Sequence, residues 1–121
     1  MTTSSHSPKG VAPPTILQVL PALGGGGVER GTLEMADYLS RMGWNSLVAS
    51  EGGRMLEQLE KSGSLHFSLP LASKNPLVMR RNIDRLVKII KENKVDIVHA
   101  RSRAPAWSAY FAAKKNKVKI V

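Results

Sequence analysis

The sequence contains no cysteine, few aromatic residues and half as many acidic as basic side chains. Without cysteine, a disulfide framework and a thiolate zinc site are both excluded, which suits a reducing cytoplasm. The two Trp, two Tyr and two Phe residues form no stripe on which nucleic-acid bases could stack. No apolar run approaches the roughly 20 residues needed to span a bilayer. We therefore expect neither a disulfide-stapled scaffold nor a membrane-spanning chain.

The remaining composition is typical of one soluble globular domain. The chain has 121 residues, of which 42% are hydrophobic, enough to build a core. Residues 1–14 have no apolar segment of the kind found in secretory signals, and we predict a flexible tail there. The three histidines, His6, His66 and His99, are too scattered for a metal cluster, so we expect no metal and no cofactor.

The net charge of +9 is concentrated in the second part of the chain. Residues 1–73 contain five Lys/Arg and six Asp/Glu, whereas residues 74–121 contain thirteen Lys/Arg and three Asp/Glu. Such asymmetry points to an anionic partner: a nucleic acid, a membrane surface or a phosphorylated substrate. The alternative is that these cations are solvated helix faces of a lysine-rich protein.

Two kinds of apolar segment alternate along the chain. Short, nearly continuous apolar runs such as TILQVL (15–20) predict buried strands, whereas spacings of three and four residues predict amphipathic helices. This alternation is typical of a parallel, doubly wound α/β sheet of Rossmann-like type. The predicted strands cover 15–20, 44–50, 65–71, 95–100 and 118–121, and the predicted helices cover 28–42, 54–63, 76–93 and 104–115. Because the fifth strand begins at Val118, we expect residues 15–121 to be an incomplete domain, truncated at the start of strand five.

Four consecutive glycines, Gly24 to Gly27, follow the first predicted strand and lead into a helix. In a doubly wound sheet, ligands bind beyond the carboxyl ends of the strands, where the strand order reverses. For the order 3-2-1-4-5, that crevice lies between strands one and four. The glycine loop and the HARSRAP segment (99–105) then both border it. This convergence predicts a ligand site at that edge of the sheet.

The chemistry of the glycine loop is suited to an anion. Without Cβ atoms, backbone N–H groups can approach a ligand closely, and the next helix offers unsatisfied N-terminal donors. The dinucleotide fingerprint G-x-G-x-x-G does not fit: from Gly24 or Gly25 its third glycine falls on Glu29 or Arg30, and from Gly26 its second falls on Val28. The phosphate loop G-x-x-x-x-G-K-[ST] fails as well, since Thr32 occupies the lysine position. The alternative is that the glycines only form a tight strand-to-helix turn.

The HARSRAP segment adds three side chains to the predicted crevice. Alternation along an extended chain places His99, Arg101 and Arg103 on the same side. Two arginines can bind phosphate or carboxylate oxygens through their forked N–H groups. His99 has two interpretations, a packed structural residue or a member of the site.

Other functions are also consistent with parts of the sequence. The segment 80–94, RRNIDRLVKIIKENK, is a basic amphipathic helix that could dock on anionic lipid, although its apolar stripe is needed to cover the sheet. A nucleic-acid-binding module agrees with the basic composition, but helix-turn-helix and zinc-finger spacings are missing. A nicotinamide-dependent oxidoreductase would use Glu51, near the end of strand two, to bind a ribose. Trp107, Tyr110 and Phe111 are expected to be core residues of the fourth helix.

Two segments carry a family resemblance: ILQVLPALGGGGVERGTLEMADYLSRMGW (16–44) and DIVHARSRAPAWSAYFAAKK (96–115). With the spacing between them, they resemble the N-terminal domain of glycosyltransferase family 4, in particular bacterial enzymes of lipopolysaccharide and other surface-glycan synthesis. The resemblance runs from about residue 15 to residue 121. It implies the GT-B architecture, in which two Rossmann-like domains enclose the active site. It also implies transfer of a sugar from a nucleotide-sugar donor, with retention of configuration and without a required metal.

The resemblance also implies roles for individual residues and partners. The donor diphosphate would lie near the glycine loop, that is Gly24, Gly25, Gly26 and Gly27. The residues implied on the acceptor side, which binds a glycan or a lipid-linked molecule, are Glu29, Arg30, His99, Arg101 and Arg103. The family's catalytic histidine and donor domain would follow Val121, so we assign no catalytic residue and expect the chain alone to be inactive. We expect a cytoplasmic location, with peripheral contact at the inner face of the cytoplasmic membrane, and no nucleic-acid partner.

Overall fold

The computed structural model describes residues 13–21, 27–101 and 103–121, with their side chains except those of 28 and 103–107. Strands and helices alternate along this part of the chain. The strands are β1 (Thr15–Val19), β2 (Asn45–Ser50), β3 (Leu65–Ser68), β4 (Ile97–Ala100) and β5 (Lys119–Ile120). The helices are α1 (Gly27–Arg41), α2 (Leu56–Lys61), α3 (Pro76–Asn93) and α4 (Arg103–Lys115). The predictions for the tail over 1–12 and for Gly24, Gly25 and Gly26 lie outside the described residues.

The strands form one sheet with parallel pairing throughout, in the order β3-β2-β1-β4-β5. The predicted doubly wound, Rossmann-like fold is therefore confirmed. β1 lies in the centre, where Leu17 pairs with Leu47 of β2 on one side and with Val98 of β4 on the other. The chain moves outward from β1 to β3 and then crosses back to β4. The carboxyl ends of β1 and β4 thus lie side by side at the point where the strand order reverses.

The helices cover the two faces of the sheet in pairs. On one face, Ala36 of α1 and Leu59 of α2 pack with Val48 of β2. On the other face, Leu86 of α3 and Ala112 of α4 pack with the strand residues that point the opposite way, including Leu17. Because successive strand residues point to opposite faces, Leu17 and Val19 of β1 join the core beneath α3 and α4, whereas Gln18 and Leu20, just after the strand, are buried on the other face. This double burial explains why its sequence is a nearly continuous apolar run.

The basic helix α3 uses its apolar stripe to cover the sheet, as its periodicity predicts. It begins at Asn75, whose side-chain oxygen accepts the Leu77 N–H at 2.9 Å, and Pro76 occupies the first turn. Its buried hydrophobic residues are Ile83, Leu86, Ile89 and Ile90. Its cations and the one that follows its last residue are all exposed: Arg80, Arg81, Arg85, Lys88, Lys91 and Lys94. Within the described ranges, every helix is too short or too polar to traverse a lipid bilayer.

The expectation that the aromatic residues of α4 belong to the core is wrong for Tyr110 and Phe111. Their relative exposures are 47% and 39%, and their rings contact each other edge to face. The helix instead buries a stripe of small residues, including Ala109 and Ala113, against the sheet and α3. Small side chains let α3 approach closely, and Ser108 Oγ donates to the Met79 carbonyl across that contact. The side chain of Trp107 is not among those that the structure describes.

Candidate functional site

The strand ends from which the two predicted loops depart lie side by side at the carboxyl edge of the sheet. Val19, the last residue of β1, pairs with Ala100, the last residue of β4. The Arg101 N–H donates to the Val19 carbonyl oxygen at 2.9 Å, which ties the segment after β4 to the end of β1. Helix α1 begins at Gly27, where a Cβ atom would meet nothing within 4 Å. The start of α1 and the HARSRAP segment therefore lie at one edge of the sheet, next to each other.

Arg101 is held in a defined position at this edge. Its Nε atom donates a hydrogen bond to Gln18 Oε1 at 2.7 Å. Its Nη1 atom lies across α1, where a Cβ on Gly31 would be 3.4 Å away. Burial lowers the pKa of the Arg101 guanidinium. Because the ordinary pKa of arginine is so high, the group stays positively charged at neutral pH.

Gln18, which sequence analysis did not assign to the site, provides the support for Arg101. Its side chain is completely buried in the centre of β1. Besides accepting from Arg101, the amide donates from Nε2 to the Thr32 carbonyl oxygen of α1 at 3.3 Å. The signal in the sequence was a polar residue inside the apolar run TILQVL. Buried amides need hydrogen-bond partners, so such a residue indicates a specific contact.

His99 joins the same cluster. It pairs in register with Gln18 on the neighbouring strand, so both side chains leave the same face of the sheet. Burial lowers the pKa of the half-buried His99, and the nearby charge of Arg101 lowers it further. Both effects favour the neutral imidazole, which can donate from one ring nitrogen and accept at the other. The structure thus brings His99 and Arg101 together, as the sequence predicted.

The other predicted acceptor-side residues lie elsewhere or outside the description. Glu29 lies half-buried in the first turn of α1. Arg30 is exposed and lines a hollow of about 290 Å³ between α1 and α2, together with Arg54. Arg103 is the first residue of α4, but its side chain is outside the description. Arg30 therefore faces α2, whereas Arg101 lies against Gly31.

The residues required by alternative chemistries are not assembled in the described part of the chain. Glu51, which a nicotinamide-binding site would use for the ribose, accepts the Ala72 N–H at 2.9 Å through Oε2. It therefore ties the end of β2 to the loop after β3. Among the described residues, no group of three or more His, Asp or Glu side chains could hold a metal ion.

A hydrogen-bonded pair of Ser50 and His66, on β2 and β3, has a structural role. Ser50 Oγ is 2.7 Å from His66 Nε2 and also accepts the Gly52 N–H at 2.9 Å. Burial lowers the pKa of His66, against a smaller raising effect of Glu60. Ser50 is completely buried, so a substrate cannot reach its hydroxyl group. The pair therefore stabilises the turn after β2 and is not a nucleophilic dyad.

Comparisons with known proteins connect this geometry to a family. The family profile of Glycosyltransferase Family 4 matches residues 25–121, while no curated protein matches the chain. A glycosyltransferase from Rickettsia africae ESF-5 is 48% identical over 91% of this chain and 29% of its own, with a TM-score of 0.81. MurG from Acinetobacter baumannii is 18% identical over 89% of this chain and 34% of its own, with a TM-score of 0.72. The C-terminal domain of a hydrogenase from Pyrococcus furiosus is 17% identical over 89% of both chains, with a TM-score of 0.66.

These likenesses differ in what they establish. The similarity to MurG and to the hydrogenase domain shows the fold alone, and the hydrogenase domain shows that this fold also occurs outside glycosyltransferases. The chain spans less than a third of the length of the Rickettsia enzyme, at 29%. The family match covers most of the chain, including the HARSRAP segment and the start of α1. On this evidence, the chain belongs to glycosyltransferase family 4.

Proposed function

We propose that this chain forms the acceptor-side, N-terminal part of a GT-B glycosyltransferase. That enzyme transfers a sugar from a nucleotide-sugar donor to a glycan or lipid-linked acceptor with retention of configuration. The observation that carries the proposal is the position of Arg101, a half-buried cation held by Gln18 at the switch point of the sheet. In open α/β sheets, that switch point is where ligands bind.

The donor diphosphate is proposed to bind where α1 begins. The space at Gly27 is open. The N–H groups of a helix's first turn have no partner within the helix, and together with the helix dipole they favour a negative charge. Gly24, Gly25 and Gly26 precede this turn, so their backbone amides are proposed to contribute as well. Arg101 supports the proposal because it adds a full positive charge next to α1. A metal ion or cofactor plays no part in it.

The acceptor is proposed to bind along the HARSRAP segment. His99 offers a neutral imidazole for hydrogen bonds to sugar hydroxyl groups, and Arg101 and Arg103 offer donors to anionic groups. Glu29 is proposed to contact the acceptor from the first turn of α1, whereas Arg30 faces the hollow beside α2 and is left out of this proposal. The GT-B active site lies between two domains, and we propose that these residues form its acceptor side.

An amide NMR titration of the 121-residue chain tests the ligand site. The probe is a mixture of UDP-glucose, UDP-N-acetylglucosamine and GDP-mannose, because the donor sugar is undefined. We expect the amide signals of Gly27 and Arg101 to shift, while that of Asn93, at the amino end of the sheet, stays in place. Unchanged Gly27 and Arg101 signals at millimolar ligand contradict the proposed donor site.

The nucleic-acid alternative is tested with single-stranded oligonucleotides. It would be favoured by shifts of the α3 signals that differ between base sequences. Retention itself is read from the anomeric configuration of the product formed by the full-length enzyme.

Peripheral contact with the inner face of the cytoplasmic membrane is a second candidate function. It is supported by the exposed cations of α3 and by neighbouring exposed apolar side chains, Leu77 at 74% and Phe111 at 39%. Cations attract anionic headgroups, and each Lys or Arg near such a surface contributes about 1 kcal/mol to the binding free energy. We expect co-sedimentation with vesicles containing phosphatidylglycerol but not with pure phosphatidylcholine, and a clear loss in an Arg80→Gln/Arg81→Gln variant. Equal sedimentation with both vesicle types would contradict an electrostatic contact.

A further inference from the structure

The buried amide of Gln18 connects two parts of the candidate site. Its Oε1 atom accepts from Arg101 Nε, and its Nε2 atom donates to the Thr32 carbonyl oxygen. Chemistry determines this orientation, because a guanidinium can only donate and a carbonyl oxygen can only accept. If the amide were flipped, its NH₂ group would face the Arg101 N–H and its oxygen would face the Thr32 carbonyl oxygen, so neither hydrogen bond could form. Gln18 is therefore locked between β4 and α1 in a single orientation.

Packing alone does not require a glutamine at this position. The residues on either side of it in β1, Leu17 and Val19, are completely buried, as is Gln18 itself. An apolar side chain would fill the same space without needing hydrogen-bond partners. Satisfied buried polar groups instead impose one specific arrangement on the groups that they contact. Here the arrangement that Gln18 imposes is the position of the Arg101 guanidinium.

The charge of Arg101 is left uncompensated by this arrangement. The ion pairs seen among the described residues between Arg41 and Asp37 and between Lys61 and Glu57 do not involve Arg101. Gln18 contributes a neutral oxygen and occupies only the Nε–H of the guanidinium. The N–H groups of the two terminal nitrogens make no hydrogen bond to Gln18, and Nη1 lies next to Gly31. Such an edge is the part of arginine that binds two oxygens of a phosphate at once.

We propose that Gln18 is a positioning residue that holds Arg101 across Gly31 so that its terminal nitrogens face a phosphate group of the substrate. This inference rests on the proposed function for the identity of the ligand, but the positioning itself does not depend on it. A Cβ at Gly31 would lie 3.4 Å from Nη1, so the guanidinium rests against α1 at van der Waals contact distance. The phosphate belongs either to the donor diphosphate or to a phosphorylated acceptor, and both bind by the same chemistry.

The first test is NMR of the unmodified 121-residue chain. We expect the Arg101 Nε–H signal to be observable and to exchange slowly with water, because it is bonded to a buried oxygen. Gln18→Met should abolish this protection, whereas Gln18→Glu, which keeps an acceptor at the same distance, should retain it. Asn93→Leu is the matched control, since it removes an amide that donates to the Ile89 carbonyl at the amino end of the sheet. Rapid exchange of the Nε–H in the unmodified chain would overturn the positioning role, even if the Gln18 variants do not fold.

The second test uses the pKa of His99 to detect a change in the position of Arg101. The charge of Arg101 lowers the pKa of His99. Gln18→Met should therefore raise the pKa of His99, as Arg101→Met does, and should have less effect in the Arg101→Met background. The same variant should weaken the binding of pyrophosphate or glucose 6-phosphate by about 3- to 10-fold, as expected for residues in contact. The ligand that is affected more identifies the donor or the acceptor as the source of the phosphate.

The outcomes separate this inference from the proposed function. If the pKa of His99 responds to Arg101→Met but not to Gln18→Met, Gln18 does not position Arg101. If both variants raise the pKa of His99 while neither changes phosphate binding, the positioning stands and the proposed phosphate contact fails. If Gln18→Met weakens phosphate binding as much in the Arg101→Met background as alone, the effect does not pass through Arg101, and the inference is overturned.

Discussion

Replacing Arg101 by methionine is expected to weaken the binding of pyrophosphate to this chain by about 10- to 100-fold. The guanidinium is half-buried at the switch point and has no acidic partner among the described residues. Its charge is therefore screened less than that of a surface arginine and is available to an anion. Methionine keeps the apolar stem but can donate no hydrogen bond. Isothermal titration calorimetry at fixed ionic strength measures the change.

Two further variants separate a specific contact from a general charge effect. Arg85→Met removes the same charge from an exposed position on α3, which packs on the opposite face of the sheet from α1, and should leave binding nearly unchanged. Arg101→Lys keeps the charge but cannot bond Gln18 and face a phosphate with a planar fork, so we expect an intermediate loss. Equal weakening by Arg85→Met and Arg101→Met would contradict a site at Arg101.

Replacing Leu17 by alanine is expected to lower the free energy of unfolding by about 2–5 kcal/mol. Leu17 is completely buried in the central strand, between Leu47 and Val98, and belongs to the larger core beneath α3 and α4. Alanine would leave a cavity that the surrounding strands, held by ladders on both sides, can close only partly. Urea denaturation followed by circular dichroism measures the loss.

The matched control for Leu17→Ala is the same substitution on an edge strand. Leu65 begins β3 and is 54% exposed, so Leu65→Ala removes the same atoms with little loss of buried area. Surface substitutions of this kind usually change stability by about 0.5 kcal/mol or less. If the two variants lost similar stability, β1 would not be the centre of the cooperative core.

The fold was predictable because its main signals are local. A buried strand such as TILQVL and the helical spacing of 76–93 can each be recognised within a single segment. Their alternation restricts the topology to a parallel sheet, and the switch-point rule then brings the start of α1 next to the HARSRAP segment. The structure confirms this order and the closeness of His99 and Arg101.

Two features could not be predicted from the sequence, because they depend on contacts between distant segments. In α4, Tyr110 and Phe111 follow Trp107 by three and four positions, a spacing that suits a buried stripe, but the alanines offer a second stripe on the same helix. In the structure it is the alanine stripe that packs against the sheet and α3. Gln18 appeared as an interruption of an apolar run, since its partner Arg101 is 83 positions away along the chain.

The sequence by itself therefore determined the alternation of strands and helices and, for the strand order 3-2-1-4-5, the edge of the sheet where ligands are expected. Only the tertiary structure decided which polar groups meet at that edge. The physical reason is that apolar periodicity acts within a segment and tolerates many partners. A buried hydrogen bond such as that between Gln18 and Arg101 needs two groups within about 3 Å and in the correct orientation. That condition is met only when β1, β4 and α1 have packed together.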